Sequence, residues 1–310
     1  MNPRNLLWLL LPLVACSTPE PVDHPAASEL IVCGDQHVII LDADQSTTEE
    51  NVVVWRWHPD SSAVLPAEYK DRYLATIDDA KPMAQNEQII VSSSSGGVVV
   101  IERATHEVVA YTTLGNAHSI EALPNDRMVV AGSTNPQGNR VAVFDRVPDA
   151  QPLFSDSLYS GHGVVWDEGR QLLYALGYDE LRAYELVDWY SDQPALRQKN
   201  RWTIPGAGGH DLVQPPYDSS TLILSEHHSV WSFDKKTGTF TEYAPLTGMD
   251  NVKGIALDVH GPESLAFIKA ETSWWSNRVY LGDTTRYLTI DSIRLYKTRW
   301  MYGDARHVRD

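Results

Sequence analysis

The sequence contains little cysteine and few positive charges for its size. It has 2 cysteines among 310 residues, and 25 Lys and Arg stand against 41 Asp and Glu, a formal net charge of −16. Nucleic acids and anionic lipids are bound by basic patches, so this acidic balance argues against either as a partner. Cys33 lies in an apolar stretch and is best interpreted as a small buried hydrophobic residue. We expect no internal disulfide and no nucleic-acid partner.

Several motifs that would indicate a function class are also missing. The sequence shows no glycine-rich phosphate loop, no serine nucleophile elbow and no cysteine-based metal motif. No apolar run long enough to span a bilayer follows the first 15 residues, and no segment has the pattern of a long helix. These absences argue against phosphate-loop nucleotide hydrolases, serine hydrolases of the α/β type and helical membrane proteins. The sequence therefore favours an all-β protein.

The first residues have the features of an export signal. Arg4 precedes an apolar run over 6–14, which is shorter than the roughly 20 residues that cross a bilayer as a helix. The segment Leu13-Val14-Ala15-Cys16 resembles the bacterial lipobox, in which the cysteine becomes the lipidated first residue of the mature protein. An ordinary signal peptide with an incidental cysteine is the alternative. We expect a signal peptide over 1–15, lipidated Cys16 and a proline-rich tether over 16–28, and the folded domain over 29–310.

The lipobox resemblance also implies a location. In lipoproteins, a serine directly after the lipidated cysteine is typical of the outer membrane, and Ser17 holds that place here. We therefore expect a monomer of the bacterial cell envelope, anchored in the outer membrane. It would contact the membrane only through its lipid.

A pair of short strands recurs six times along the chain. Each strand is a run of β-branched and aromatic residues bounded by Gly, Asn, Asp or Ser, as strands usually are. The second strands of the pairs are predicted over 38–42, 98–102, 141–145, 181–185, 230–234 and 278–282. A similar run precedes each of them. The repeat indicates six copies of one structural unit.

From the second copy onward, a polar residue framed by small or apolar residues precedes each pair. These residues are Lys81, His118, His162, His210, Lys253 and, at the C-terminal end, Lys297. The steps between them are 37, 44, 48, 43 and 44 residues, the period of a four-stranded propeller blade. The first pair lacks a leading strand and the last polar residue lacks a following pair, so joining the two ends completes a ring. We predict a six-bladed β-propeller closed by the C-terminal strand; a β-sandwich, the rival architecture, would have no fixed period.

Several blocks of the sequence resemble a known but uncharacterised family. They are Ala117-His-Ser, Ser-Gly-His-Gly-Val-Val-Trp-Asp at 160–167, Gly-Gly-His-Asp-Leu at 208–212, Glu226-His-His and Lys297-Thr-Arg-Trp. Over the whole mature chain the sequence is similar to bacterial six-bladed propellers of that family. The resemblance implies a fold and no established activity.

The innermost strand of each blade lines the central channel of a propeller, so the six aligned residues are expected there. His118, His162 and His210 come from consecutive blades, and three neutral imidazoles form a facial set for a divalent metal. His227 could supply a fourth ligand. The metal would be Mn, Zn, Fe or Ca. The alternative is that each histidine is a satisfied polar group in a wet channel.

Three lysines face the histidines in the predicted ring and would hold an anion, such as an acidic carbohydrate. The alternative is that Lys81, Lys253 and Lys297 pair with carboxylates of the protein. Flat aromatic rings suit sugar stacking, which adds further candidates. The predicted substrate contacts are Lys297, Trp274, Trp275 and Tyr178, and the predicted acid–base residues are Lys81, Lys253 and His228.

Together these residues favour a metal-assisted lyase or hydrolase that acts on an acidic sugar in the channel. A lyase needs a cation to neutralise the uronate carboxylate, a base for the adjacent C–H proton and an acid for the leaving oxygen. In chemistry and architecture, though not in aligned motifs, this is similar to the propeller-type oligogalacturonate lyases. The alternative is a non-catalytic propeller that binds glycan or protein. A calcium-dependent lactonase would place Glu, Asn and Asp in the channel and is disfavoured.

Overall fold

The computed structural model describes residues 29–44 and 52–301. Within these ranges, 24 strands form six antiparallel sheets of four strands each, arranged as a ring around a central channel. The predicted six-bladed β-propeller is confirmed. The predicted signal peptide, Cys16 and the tether lie outside the described residues. None of the helices in the described ranges has the length and apolar composition needed to span a bilayer.

The blades are numbered along the chain, and each is given from its innermost strand outward. Blade 1 has β24 (Leu295–Trp300), β1 (Glu29–Gly34), β2 (His37–Asp42) and β3 (Val53–Trp57). Blade 2 has β4 (Ile77–Met83), β5 (Gln88–Ser93), β6 (Gly97–Glu102) and β7 (Val108–Thr113). Blade 3 has β8 (Ala117–Leu123), β9 (Arg127–Gly132), β10 (Arg140–Asp145) and β11 (Pro152–Ser157).

The other three blades follow the same order. Blade 4 has β12 (Gly163–Asp167), β13 (Leu172–Leu176), β14 (Glu180–Val187) and β15 (Ala195–Thr203). Blade 5 has β16 (Asp211–Val213), β17 (Thr221–Ser225), β18 (Val230–Asp234) and β19 (Thr239–Glu242). Blade 6 has β20 (Val252–Asp258), β21 (Gly261–Lys269), β22 (Arg278–Leu281) and β23 (Asp283–Thr289). Short helical turns span Pro59–Ser61, Tyr69–Tyr73 and Ala244–Leu246.

Blade 1 closes the ring with strands from both ends of the described chain. The last strand, β24, pairs antiparallel with β1, so that Leu30 lies opposite Trp300 and Val32 opposite Thr298. This pairing leaves no open edge at the channel. The predicted closure by the C-terminal strand is confirmed.

The hydrophobic core is divided among the interfaces between neighbouring blades. Within the described residues it forms six clusters, and each cluster draws its side chains from two adjacent sheets. A sheet that packs on both faces buries successive residues, so all six residues of β9 are buried. This explains why the inner strands read as continuous apolar runs. Cys33 is a buried core residue, and burial raises the pKa of its thiol.

In four blades the innermost strand carries an extra, unpaired residue near its start. In β8, Ala117 pairs with Gly132 and Ser119 with Ala131, which leaves His118 without a partner on β9. Such a β-bulge bends the strand and redirects the side chain of the extra residue. The equivalent positions in the six blades are Tyr296, Asp78, His118, His162, His210 and Lys253. The bulge is present in blades 1, 2, 3 and 6, and in blades 4 and 5 the equivalent residue directly precedes the innermost strand.

Ring closure makes the fold depend on its last strand. A chain that ends before Ile293 lacks β24 and leaves the inner edge of β1 unpaired. We expect this truncation to abolish the cooperative melting transition, measured by circular dichroism. A chain that ends at Met301 retains β24 and serves as the control. An unchanged melting transition in the shorter chain would contradict closure by β24.

Candidate functional site

The six equivalent residues form one layer at the end of the channel where the innermost strands begin. We call this layer the upper ring; it consists of Asp78, His118, His162, His210, Lys253 and Tyr296. The sequence alignment placed Lys81 and Lys297 in this layer, and that part of the prediction is wrong. Lys81 lies three positions beyond Asp78, and Lys297 lies one beyond Tyr296. When the six residues of the upper ring are aligned instead, the steps between successive positions are 40, 44, 48, 43 and 43 residues, which is more regular than the steps predicted from the sequence.

The three predicted histidines come together in the upper ring. The imidazoles of His118 and His162 are stacked with ring centroids 4.3 Å apart, and those of His162 and His210 are 5.5 Å apart at a steep angle. Nδ1 of His118 lies 3.1 Å from Oδ1 of Asp78. Nδ1 of His162 lies 2.9 Å from the carbonyl oxygen of Ser160. The structure thus brings the three predicted imidazoles together in one layer.

Lys253 is the one ammonium group of the upper ring, and its partner is an imidazole. Its Nζ lies 2.6 Å from Nε2 of His210, which in turn lies 3.0 Å from Nδ1 of His227. Lys253 is only 5% exposed, and within the described residues no carboxylate oxygen forms an ion pair with it. Because burial disfavours the charged amine, the pKa of Lys253 is lowered to about 8.

The buried imidazoles next to Lys253 are neutral. Burial, together with the positive charge of Lys253, lowers the pKa of His210 to about 2. Burial and the neighbouring imidazole of His118 hold the pKa of His162 well below its usual value. Both side chains therefore act as hydrogen-bond donors or acceptors near neutral pH, and neither adds charge.

The predicted metal ligands are close together, but their geometry is not that of a metal site. In the part of the chain that the structure describes, no group of three or more His, Cys, Asp or Glu is arranged to hold a metal ion. Nε2 of His210 already contacts both Lys253 and His227. An ion on this nitrogen would have to displace the amine of Lys253. The metal site of His118, His162, His210 and His227 stays a prediction.

The predicted aromatic contacts lie around the same end of the channel. The ring of Trp274 packs edge-on against Tyr296 of the upper ring, with centroids 6.0 Å apart. The carbonyl of Tyr178 accepts hydrogen bonds from Gly208 and Gly209, directly before His210. Trp275 pairs through its backbone with Thr272, in the loop that carries Trp274. The structure thus places all three aromatic residues near the upper ring.

His228 is exposed at the rim of this site. Its backbone N–H donates a 3.0 Å hydrogen bond to Oε2 of Glu226, and its ring centroid lies 6.2 Å from that of His227. His227 therefore stands between His228 and His210. The predicted acid–base role of His228 remains a prediction, as does that of Lys253.

A layer of paired charges lies directly beneath the upper ring. We call it the charge layer; it consists of Lys81, Lys297, Arg299, Asp79, Asp211 and Glu121. The guanidinium of Arg299 lies 2.7 Å from Oδ1 of Asp211 and 2.9 Å from Oδ1 of Asp79. Burial would raise the pKa of Asp211, but Arg299 and Lys297 outweigh it and lower the pKa to about 2. Three cations balance three carboxylates.

The two lysines of the charge layer are used inside the protein. Nζ of Lys297, which is 0% exposed, donates to the carbonyls of His162 at 2.8 Å and His118 at 3.2 Å and lies 3.3 Å from Oδ1 of Asp211. Nζ of Lys81 donates to Val164 O and to Glu121 Oε2. Lys81 and Lys297 both pair with carboxylates of the protein, which was the alternative to binding a ligand. The three hydrogens of Lys297 are used, so its predicted contact with a ligand has no geometric support.

The sequence did not single out Arg299, Asp211 or Ser119 as channel residues. Ser119 donates a 2.7 Å hydrogen bond to Oδ2 of Asp79 and accepts one from the backbone N–H of Val164, so it links blades 2, 3 and 4. Carboxylates of the protein entered the sequence-based prediction only as partners for the lysines. The available signal was that Ser119 and Asp211 each directly follow one of the predicted histidines.

Acid should destabilise the protein through its buried histidines. The unfolded chain protonates these side chains near pH 6.5, whereas folded His162 and His210 stay neutral at lower pH. The unfolded state then binds more protons, so stability falls as the pH drops below 6.5. The melting temperature measured from pH 7.5 to 4.5 should fall less in His210→Gln than in the wild type. Asp258 raises the pKa of exposed His260, so His260→Gln is a control that should not reduce the loss. Equal losses in His210→Gln and wild type would contradict this assignment.

Comparison with known proteins bears on the fold and the family. A search of curated proteins found none that matches this chain. A family model described as a family of unknown function (DUF6528) matches residues 14–307, which include all six blades and every residue of the upper ring and the charge layer. The resemblance to an uncharacterised propeller family is thus confirmed at the level of family and fold. The chain belongs to this family of unknown function (DUF6528).

Proposed function

We propose that the protein is an enzyme that acts on a small acidic sugar at the upper ring, with Lys253 as the catalytic base. One observation carries the proposal: the buried amine of Lys253 is hydrogen-bonded to His210 and forms no ion pair with a carboxylate among the described residues. Perturbed titratable groups of this kind are concentrated at functional sites. The other buried cations of the channel, Lys81, Lys297 and Arg299, all have carboxylate partners.

Lys253 suits proton abstraction beside a carboxylate. A general base works best when its pKa is close to the working pH, and the pKa of Lys253 is lowered to about 8. In the proposed step the C–H proton next to the sugar carboxylate moves to Nζ of Lys253. The electron pair of the C–H bond forms a carbon–carbon double bond as the bond to the leaving oxygen breaks, and His118, beside Asp78, donates the proton to that oxygen. The contact with Nε2 of His210, which in turn contacts Nδ1 of His227, holds the amine in place.

The surroundings of Lys253 favour an anionic ligand of small size. The carboxylate of a ligand would provide the counter-ion that the protein does not provide. The upper ring is mostly buried, with Lys253 only 5% exposed, so a short sugar or a chain end fits better than the middle of a polymer. Trp274, next to Tyr296, offers an aromatic surface for the apolar face of the sugar.

We also propose that a divalent ion binds at the upper ring. Its ligands would be His118, His162, His210 and His227. The ion would be Mn, Zn, Fe or Ca and would neutralise the sugar carboxylate. At Nε2 of His210 the ion and the amine of Lys253 compete for one place, since these two atoms lie 2.6 Å apart. Replacing Lys253 by methionine should therefore increase the metal content, measured by elemental analysis, if the four histidines are ligands. An unchanged metal content would contradict the metal site, and Lys253 would then act without an ion.

The predicted location and anchoring belong to the same proposal. Lipidation at Cys16 would hold the propeller at the bacterial outer membrane, where acidic polysaccharides are encountered. The acidic composition, with a net charge of −16, suits contact with the membrane through the lipid alone and not through the protein surface. We propose that the protein works there as a monomer.

The activity test uses a panel of short uronate oligosaccharides. Product formation is measured by the ultraviolet absorbance of the unsaturated product. The wild type should form product, at a rate that increases as the pH rises toward 8, because the fraction of neutral Lys253 increases. Lys253→Met should lose at least about a hundredfold in rate, as expected for removal of a general base. Lys236→Met, which changes an exposed lysine on the turn after β18, is the matched control and should keep full activity.

Two results would contradict the proposal. If the panel binds but no product forms, the alternative of a non-catalytic sugar-binding propeller is correct. If Lys253→Met turns over the panel as fast as the wild type, the base is another group.

A further inference from the structure

Two exposed tyrosines lie side by side on the loops of blade 4, at the upper end of the channel. Tyr159 belongs to the connection between β11 and β12, and Tyr178 belongs to the turn between β13 and β14. Tyr159 is 57% exposed and Tyr178 is 38% exposed. Their ring centroids lie 5.6 Å apart, and the ring planes are tilted by 60°. These two residues, which we call the tyrosine pair, present an aromatic surface to solvent.

Backbone hydrogen bonds fix the tyrosine pair next to the upper ring. The N–H of Tyr178 donates to the carbonyl of Tyr159 at 3.0 Å, and the carbonyl of Tyr178 accepts from Gly209 at 3.1 Å. Gly209 directly precedes His210, and Tyr159 lies three residues before His162. Three residues of chain span at most about 11 Å. The tyrosine pair therefore borders the histidine side of the upper ring.

The two loops that carry the tyrosine pair are packed closely against each other. A Cβ at Gly177 would lie 2.9 Å from the carbonyl oxygen of Tyr159 and 2.9 Å from Cδ1 of Leu158, so the turn before Tyr178 has room only for glycine. The aromatic surface is thus formed before a ligand arrives. A ligand that binds there does not have to order the loops, which favours affinity.

An exposed guanidinium lies beside the tyrosine pair. Glu180, two residues after Tyr178, is buried and pairs with both Arg182, at 2.7 Å, and Arg201. The side chain of Arg182 is 11% exposed and also contacts Asp156, whereas that of Arg201 is 60% exposed. Arg201 contacts Glu180 through Nε, which leaves the hydrogens of its two terminal nitrogens for a ligand. A negatively charged ligand group at this place would meet an accessible positive charge.

The tyrosine pair and Arg201 together match an acidic sugar. The apolar C–H face of a pyranose packs on tyrosine rings, and a carboxylate is the group that a guanidinium binds best. The upper ring holds the sugar unit that reacts in the function proposed above. The tyrosine pair lies where the next unit of the same chain would leave the upper ring.

We propose that Tyr159, Tyr178 and Arg201 form an outer subsite for the second unit of an acidic oligosaccharide whose end unit lies in the upper ring. This subsite rests on the function proposed above and makes its substrate more specific. The substrate is a chain of at least two acidic sugar units, and the protein acts on its end.

The test measures affinity by calorimetry for galacturonate and mannuronate, as single units and as chains of two and three units. All variants carry Lys253→Met, so that turnover does not interfere. The readout is the ratio of affinities between chain lengths, because a uniform loss of affinity at the upper ring cancels in this ratio. For at least one of the two sugars, the second unit should increase affinity about tenfold, as expected for one aromatic contact and one exposed ion pair. The third unit should add less than about twofold.

Two variants identify the residues that bind the second unit. Tyr159→Ala should reduce the gain from the second unit about fivefold and leave the affinity for the single unit unchanged. Arg201→Gln should reduce the gain for the acidic chain, but not for a two-unit chain whose second carboxylate is a methyl ester. Tyr190→Ala is the matched control, because Tyr190 is an 81% exposed tyrosine on the turn after β14, and it should keep the full gain.

The outer subsite is overturned if one and two units of both sugars bind equally well, or if no probe binds. It is also overturned if Tyr159→Ala and Arg201→Gln both keep the full gain, even when the wild type turns over the panel as the proposed function requires. A gain that depends on Tyr159, together with turnover by Lys253→Met at the wild-type rate, would support the outer subsite and reject only the catalytic role of Lys253.

Discussion

The guanidinium of Arg299, held between the carboxylates of Asp79 and Asp211, is the interaction on which the channel depends. All three groups are buried, and a buried carboxylate is strongly unfavourable unless a cation and hydrogen bonds compensate it. Arg299 and Lys297 belong to β24, while Asp79 lies on blade 2 and Asp211 on blade 5. The strand that closes the ring therefore also brings the cations that neutralise the carboxylates across the channel. Ring closure and charge balance are inseparable.

The same layer explains why Lys253 differs from the other channel cations. In blades 2 and 5 the residue after the upper-ring residue is an aspartate, Asp79 or Asp211, whereas in blade 6 it is Gly254. A side chain at Gly254 would have no room, because its Cβ would lie 2.7 Å from the Cα of Lys297. Blade 6 thus presents an ammonium group with no carboxylate directly beneath it. The pKa of Lys253 is lowered because its burial is not offset by a nearby negative charge.

The architecture was predictable from the sequence, but the register of the channel was not. Short β-branched runs at a regular period define six blades, and the unmatched strands at the two ends define the closure. A β-bulge inserts one residue but has no characteristic residue type, so a repeat alignment could not locate the bulges from the sequence. Lys81 was aligned with Lys253 because both are lysines framed by small or apolar residues. The structure places Asp78 in that position instead.

The histidines of the upper ring were predictable from the sequence, whereas the pairs of the charge layer were not. His118, His162 and His210 precede equivalent strands in consecutive blades, so their proximity followed from the repeat. The pairing of Arg299 with Asp211 joins residues 88 positions apart and depends on which side chains cross the channel.

Lys253 is a buried amine whose pKa is lowered to about 8, because the channel gives it an imidazole and no carboxylate among the described residues. The most direct test is a pH titration of the full chain with ¹³C-labelled lysine, with the Lys253 signal assigned from Lys253→Arg. We expect a pKa of about 8 for Lys253, clearly below the usual value of a lysine, near 10.5. A Lys253 signal that titrates near 10.5 would contradict this expectation.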